Sequence, residues 1–249
     1  MIVKHLYNGD ITISFDERSH TYIIDGNRIP SVSTISSIGS KGDILTLWAL
    51  KLVREYLNKN KDELITDKLI KEALSEYKRA QLSALSVGTE THKWCEDVIL
   101  RRIPKTPSCE EVDNATKAFL KWNKSYRSQF EYSELMLYSR KYNYVGIVDV
   151  VFTVDGFYYI GDFKTSKAIY PEYFIQIAGY VIAFEEEYGI KIEGACVIRL
   201  DKKTGEYEVK YSKDLKRDKE CFLSCLNIKN TLKDIKDEQA VEISTTIVY

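Results

Sequence analysis

Asp155-Gly156 stands between two apolar runs, Val145 to Val154 and Phe157 to Phe163. Asp-Gly is among the strongest short hairpin signals, because a two-residue turn between twisted strands needs positive φ at its central positions. Closing the turn there sets Val154 opposite Phe157. Following the ladder outward sets Asp149 opposite Asp162 and Ile147 opposite Lys164. Side chains alternate along a strand, so Asp149, Asp162 and Lys164 are expected on one face. Directly opposed residues bring their Cβ atoms to about 5 Å, close enough for two carboxylates to share a divalent cation. That face also carries Val145, Ile147, Val151 and Ile160; the other carries Val148, Val150, Phe152, Tyr159 and Phe163. Two apolar faces predict central strands covered on both sides. Two buried carboxylates repel each other and lose hydration, so they need compensation, which a cation and Lys164 supply. The competing reading is an ion pair of Lys164 with Asp162 or Asp149 and no chemistry. The geometry depends on the register, since one bulge reverses the faces.

An acid two residues before a lysine carries little information alone. Glu76–Lys78, Glu208–Lys210, Asp214–Lys216 and Asp234–Lys236 repeat it on what read as solvated faces. Asp162–Lys164 differs in ending an apolar strand, with a second aspartate across a hairpin.

Around this hairpin the pattern divides the chain. Residues 11–25 read as a hairpin, turning at Asp16 to Ser19, and Pro30-Ser31-Val32-Ser33 reads as a helix start capped by Ser31 or Ser33. Residues 43–130 are helical in pattern, with stretches at 62–84, 86–100 and 109–128. Strands dominate 132–163, a helix follows over 171–188, a strand over 195–200 and another over 206–211. A charged helix over 213–236 precedes a tail, 241–249, read as a strand or an arm. The order predicts an α/β (α+β) fold with a mixed central β-sheet flanked by helices. We read one domain over 1–249, made of an N-terminal hairpin and first helix (1–40), a helical region (41–130), a core sheet (131–212) and a C-terminal helix and tail (213–249).

Hydrophobic residues make up 44% of the 249 residues, enough for such a core. No stretch approaches the roughly 18 apolar residues of a membrane helix, and Met1 to Leu6 lacks the apolar run of a signal peptide. These features predict a cytoplasmic protein, in a host cell's cytoplasm if the chain is viral, with no membrane partner. The five cysteines form no C-x-x-C and are irregularly spaced, which predicts buried free thiols and no disulfide framework. Net charge is −1, so a polyanion partner would need a local basic groove. Lys121, Trp122, Lys124, Tyr126 and Arg127 mix basic and aromatic residues as a single-strand groove does; a helix with solvated lysines and a buried Trp122 is the preferred reading.

Gly146-Ile147-Val148-Asp149, Gly161-Asp162-Phe163-Lys164-Thr165-Ser166 and Gln176-Ile177-Ala178-Gly179-Tyr180 resemble the core of the PD-(D/E)XK nuclease superfamily, in particular its RecB-like exonuclease branch. Gly88-Thr89-Glu90-Thr91-His92 is similar to that branch's upstream histidine motif. His20-Thr21-Tyr22 and Pro30-Ser31-Val32-Ser33-Thr34-Ile35 are similar to its opening. The resemblance spans about residues 15–200.

It implies a restriction-endonuclease-like core and a metal-dependent DNA nuclease, preferring single strands or ends as an exonuclease. Asp149, Asp162, His92 and the backbone carbonyl of Phe163 would bind Mg²⁺ or Mn²⁺. Lys164 would position or deprotonate water and offset phosphate charge. Glu134, with Glu131 competing for the part, would stand near a second metal position. Gln176 and Tyr180, on one helix face, would pack beside the site and contact DNA or the catalytic lysine, the competing reading being a half-buried amphipathic helix. Thr165, Ser166 and Lys167, after the catalytic strand, are positioned to touch DNA phosphate. Glu96, one turn after His92, reads as a second-metal candidate or a solvated charge. Some relatives hold an iron–sulfur cluster; Cys221 and Cys225 do not reproduce its spacing, so no cluster is expected. Implied partners are DNA and phage or host recombination and repair proteins. The alternative is a catalytically inactive nucleic-acid-binding or assembly protein that keeps the fold. A different metallohydrolase using His92 and Glu96 has only three histidines in the chain to draw on.

Overall fold

The computed structural model describes residues 2–16, 19–39, 42–125 and 129–246. Among these, six α-helices and two sheets form a mixed α+β architecture. The central sheet runs β5 (Gln129–Ser139), β6 (Tyr144–Val154), β7 (Phe157–Lys164), β8 (Ile192–Leu200) and β9 (Tyr207–Tyr211), in that spatial order. All neighbours are antiparallel except β7 and β8. A parallel pair needs a crossover, and α5 (Pro171–Tyr188) supplies it. Pro171 at its first turn and left-handed Gly189 at its C-cap set its bounds.

The sheet is covered on both faces. One face packs on α1 (Val32–Ser36), α5 and α6 (Leu215–Thr246), through Val32, Ile177, Phe184 and Phe222. The other packs on α3 (Asp67–Ile99) and α4 (Glu110–Ser125), through Cys95, Phe119 and Trp122. Trp122 is fully buried, as its preferred reading required; Tyr126 and Arg127 lie outside the described residues. α2 (Gly42–Lys59) packs against α3.

The register expected across Asp155-Gly156 is the one observed, from Val154 opposite Phe157 to Val150 opposite Gly161. Both turn residues have positive φ, 51° and 83°. The expected faces are corrected in one respect. Val148 packs in the same cluster as Val151 and Ile160, while Val145 and Ile147 face the N-terminal sheet. Alternation therefore breaks between Val148 and Val151, where Asp149 sits.

Several elements differ from their sequence reading. The N-terminal hairpin is the middle of a four-stranded antiparallel sheet, β1 (Ile2–Leu6), β2 (Ile11–Asp16), β3 (Thr21–Ile24) and β4 (Asn27–Ile29). Residues 17 and 18 of its turn lie outside the described residues. β1 was hidden because its side chains are exposed except Leu6, which leaves little apolar alternation. Ser31 caps α1 in a capping box with Thr34. The stretches 62–84 and 86–100 are one helix, α3, which begins after the Thr66 cap and runs through Gly88 without a break. A single glycine costs a helix only about 1 kcal/mol, too little to end one packed at its far end. Strand β5 starts at Gln129, and Glu134 lies inside it rather than before it. The region read as a tail continues α6 to Thr246; residues 247–249 lie outside the described residues. Cys95, Cys196 and Cys225 are buried, whereas Cys109 and Cys221 are exposed. Among the described residues no helix is long and apolar enough to cross a membrane.

Candidate metal centre and its cleft

The site lies where β6 and β7 part. Their ladder pairing runs as far as Val150 and Gly161. Beyond it, where Asp162 was expected opposite Asp149, the N–H of the next residue, Phe163, donates instead to the Asp149 side chain, to Oδ2 at 2.6 Å. A carboxylate has taken the place of a strand carbonyl. Across β6, Glu134 stands in the gap between the pairs Ser133–Val150 and Leu135–Val148, with a left-handed φ of 50°. A non-glycine residue in that region is strained, and here the strain falls on an acid beside Asp149.

His92 reaches the same point from α3. Its Nδ1 lies 3.3 Å from Asp149 Oδ1. His92, Glu134 and Asp149 each offer one ligand atom, and the three atoms lie within 4.8 Å of one another. One imidazole nitrogen and two carboxylate oxygens suit a divalent cation. Asp162 is not one of this trio. It is 1% exposed, and its Oδ2 forms an ion pair with Lys164 Nζ at 2.6 Å. Among the described residues Lys164 is the partner of that buried oxygen.

The charges shape one another. Burial alone would lower the His92 pKa, but the adjacent Asp149 carboxylate outweighs it and lifts the imidazole to about 9. Burial, reinforced by the Asp149 charge, raises Glu134 to about 8. Burial also raises Asp162, to about 6, against the pull of Lys164. Asp149 is held below its ordinary value: burial opposes this, and the His92 charge and hydrogen bond overcome it, helped by Lys164 and the Phe163 N–H. Lys164 is held charged, because Asp162 and Asp149 outweigh its burial. Near neutral pH without a cation, His92 and Glu134 therefore both carry protons.

A cleft of about 570 Å³ opens on this cluster. His92, Phe163 and Lys164 line it, as do Thr165, Ser166 and Lys167 of the segment that follows β7. The expected positions after the strand thus face one open space. Gln176 and Tyr180 do not line it. Gln176 Nε2 donates to the Tyr180 hydroxyl at 2.8 Å, and Tyr180 is buried, its ring against Gly146. A Cβ at Gly146 would come within 2.6 Å of Tyr180 and 2.7 Å of Val32, so only glycine allows that approach. Glu96 is half-buried and pairs with Lys93 at 2.7 Å and Arg102 at 3.5 Å, a surface ion pair rather than a freely solvated charge, and it is not in the trio. Glu131 accepts from Thr153 at 3.1 Å, and Glu134, not Glu131, joins the trio.

Tyr173 was missed. Lys164 Nζ lies 5.1 Å from the centre of its ring, and it lines the cleft. Its spacing held the signal: three residues before Gln176 and seven before Tyr180, it shares their helix face.

No family model and no curated protein sequence matches the chain. Among solved structures, the alkaline exonuclease LHK-Exo from Laribacter hongkongensis is similar at TM-score 0.32 and 8% identity, over 61% of this chain and 86% of that one. A likeness that distant carries no argument about chemistry, so the site is read from its own residues.

Proposed function

We propose that the chain is a metal-dependent nuclease of the PD-(D/E)XK type that hydrolyses DNA phosphodiesters, acting as an exonuclease on single strands or ends. The observation that carries this reading is the trio His92, Glu134 and Asp149 beside the Asp162–Lys164 pair, at the mouth of a lysine-lined cleft.

His92, Glu134 and Asp149 would hold Mg²⁺ or Mn²⁺, the two carboxylates suiting either ion. Asp162 and the Phe163 carbonyl stand as further proposed ligands. When bound, the ion supplies Lewis acidity toward phosphate oxygen and lowers the pKa of water. Lys164 enters as a cation. The carboxylates that raise its pKa keep its proton on, which favours neutralising phosphate charge and orienting water over taking a proton from it. Buried charges act strongly because little water screens them. Asp162 keeps the Lys164 ammonium in place. Gln176 and Tyr180 pack beneath the site as positioning residues, while Thr165, Ser166 and Lys167 offer hydroxyls and charge to the phosphate backbone.

End-labelled single- and double-stranded DNA, digested with Mg²⁺, Mn²⁺ or EDTA, tests activity, metal need and end preference together. Cleavage that survives EDTA, or full metal-dependent cleavage by Asp149→Ala protein, would sink the assignment. DNA bound but left intact with either metal would favour the inactive alternative.

A further inference from the structure

Two clefts lie on the two sides of α3 and meet at Leu85. They differ in charge. The larger, about 700 Å³, balances Lys93 and Lys105 against Glu90 and Asp97. The smaller, the one on the candidate metal centre, is lined by Lys164, Lys167 and Lys202 and by Glu111; Lys202 lies 3.4 Å from Glu111 and Lys164 2.6 Å from Asp162, so Lys167 adds a positive charge beyond those two pairs. The wall of the cleft that leads to His92 thus presents ammonium groups beside the carboxylates of the candidate metal centre. Lys167 in that wall can meet a phosphate.

Charge alone does not separate one strand from two. The aromatic residues do. Trp48 of α2 and Tyr173 of α5 both line this cleft, from walls built of different elements, and neither is buried. Tyr77 meets Trp48 edge-on, 5.4 Å between ring centres at 73°, which orients the indole. A duplex keeps its base faces inside the stack, whereas an unpaired strand offers them to aromatic side chains. The volume agrees: about 570 Å³ falls in the range of small-molecule pockets, room for a nucleotide or two.

Building on the nuclease reading, we propose that this cleft is a single-strand subsite in which Trp48 and Tyr173 stack on bases and Lys167 meets the phosphate backbone. Stacking is indifferent to base identity, so the subsite selects strandedness rather than sequence.

The test is binding by the full chain in EDTA, where cleavage is not expected, followed by fluorescence anisotropy of a labelled oligothymidylate and of a duplex of equal length. The single strand binds more tightly than the duplex. Trp48→Ala and Tyr173→Ala each weaken single-strand binding by about 5- to 150-fold, the range for loss of one stacked base. Trp48→Phe and Tyr173→Phe stay within about fivefold of the parent, since a stacking ring remains. If circular dichroism shows that Trp48→Ala has lost helix, the two Tyr173 variants decide the outcome. Parent-like binding by the alanine variants, or a duplex bound at least as tightly as the single strand, overturns the proposal. Strand-selective, ring-dependent binding without cleavage in Mg²⁺ or Mn²⁺ keeps this subsite and defeats the nuclease reading. Cleavage with ring-independent binding does the reverse.

Discussion

The sheet side of the cleft, β6 and β7, and its helical side, α2 and α3, bury their apolar residues to very different degrees. Val148, Val150, Val151, Phe152 and Ile160 are completely buried between two helical layers. On the helical side Leu47, Leu50, Leu74, Leu82 and Leu85 are exposed, and Leu64 between the two helices is 87% exposed. Chemistry that depends on a few tenths of an ångström belongs on the first surface, where packing fixes rotamers. Recognition that tolerates any base can sit on the second.

Changes at the sheet side should have the largest effects. Lys164→Ala is expected to lower cleavage by at least about 10²–10³-fold, the scale for losing one group that stabilises developing charge. Its circular dichroism spectrum should match the parent's; single-turnover digestion measures the loss. His92→Ala is next, and should weaken Mn²⁺ binding by roughly 10- to 100-fold, read by calorimetry.

The same calorimetry tests the proton inventory. His92, at about 9, and Glu134, at about 8, are both protonated near pH 7 without metal. Mn²⁺ binding should therefore release protons, and the apparent enthalpy should change with the buffer's ionisation enthalpy. The sign for stability follows by linkage. Both groups have folded pKa values above their unfolded ones, so the metal-free fold binds protons more tightly than the unfolded chain. Its stability falls as pH rises from about 4.5 through 8 for Glu134 and from about 6.5 through 9 for His92. Thermal melts from pH 6 to 9 should show a falling Tm without metal and a flatter profile with Mn²⁺. A Tm that rises over that range contradicts the assigned shifts.

Packing changes give smaller effects that sharpen the contrast. Gly146→Ala forces a methyl against Tyr180 and Val32 and should cost about 1–3 kcal/mol, a Tm loss of about 2–4 °C for each kcal/mol. Leu64→Ser, on the helical side, should leave stability within about 0.5 kcal/mol. Equal losses at the two positions would erase the distinction.

Much of the sheet was legible because a turn with a chemical signature fixed its register and two apolar faces announced its burial. That register pointed to the neighbourhood of Asp149, Asp162 and Lys164, but not to their pairing, because the ladder ends at Val150 and Gly161 and Asp149 bonds the Phe163 N–H instead. Glu134 was harder: its strand neighbours predict ordinary alternation, and nothing local marks a left-handed φ on a glutamate. The break at Asp149 was also hidden, because it arises when a side chain, not a backbone carbonyl, satisfies the Phe163 N–H. Tyr173 could be found from helical spacing. The cleft could not, since it joins residues as distant as Trp48 and Lys202 that only the folded chain brings together.

The hydrogen bond from the Phe163 amide to Asp149 makes one proton a built-in gauge of the candidate metal centre. Whatever draws electron density from that carboxylate weakens the bond, and the amide resonance should move with it. Following the Phe163 ¹⁵N–¹H signal during a metal titration would read occupancy from inside the backbone, without a substrate and without a label on the ion.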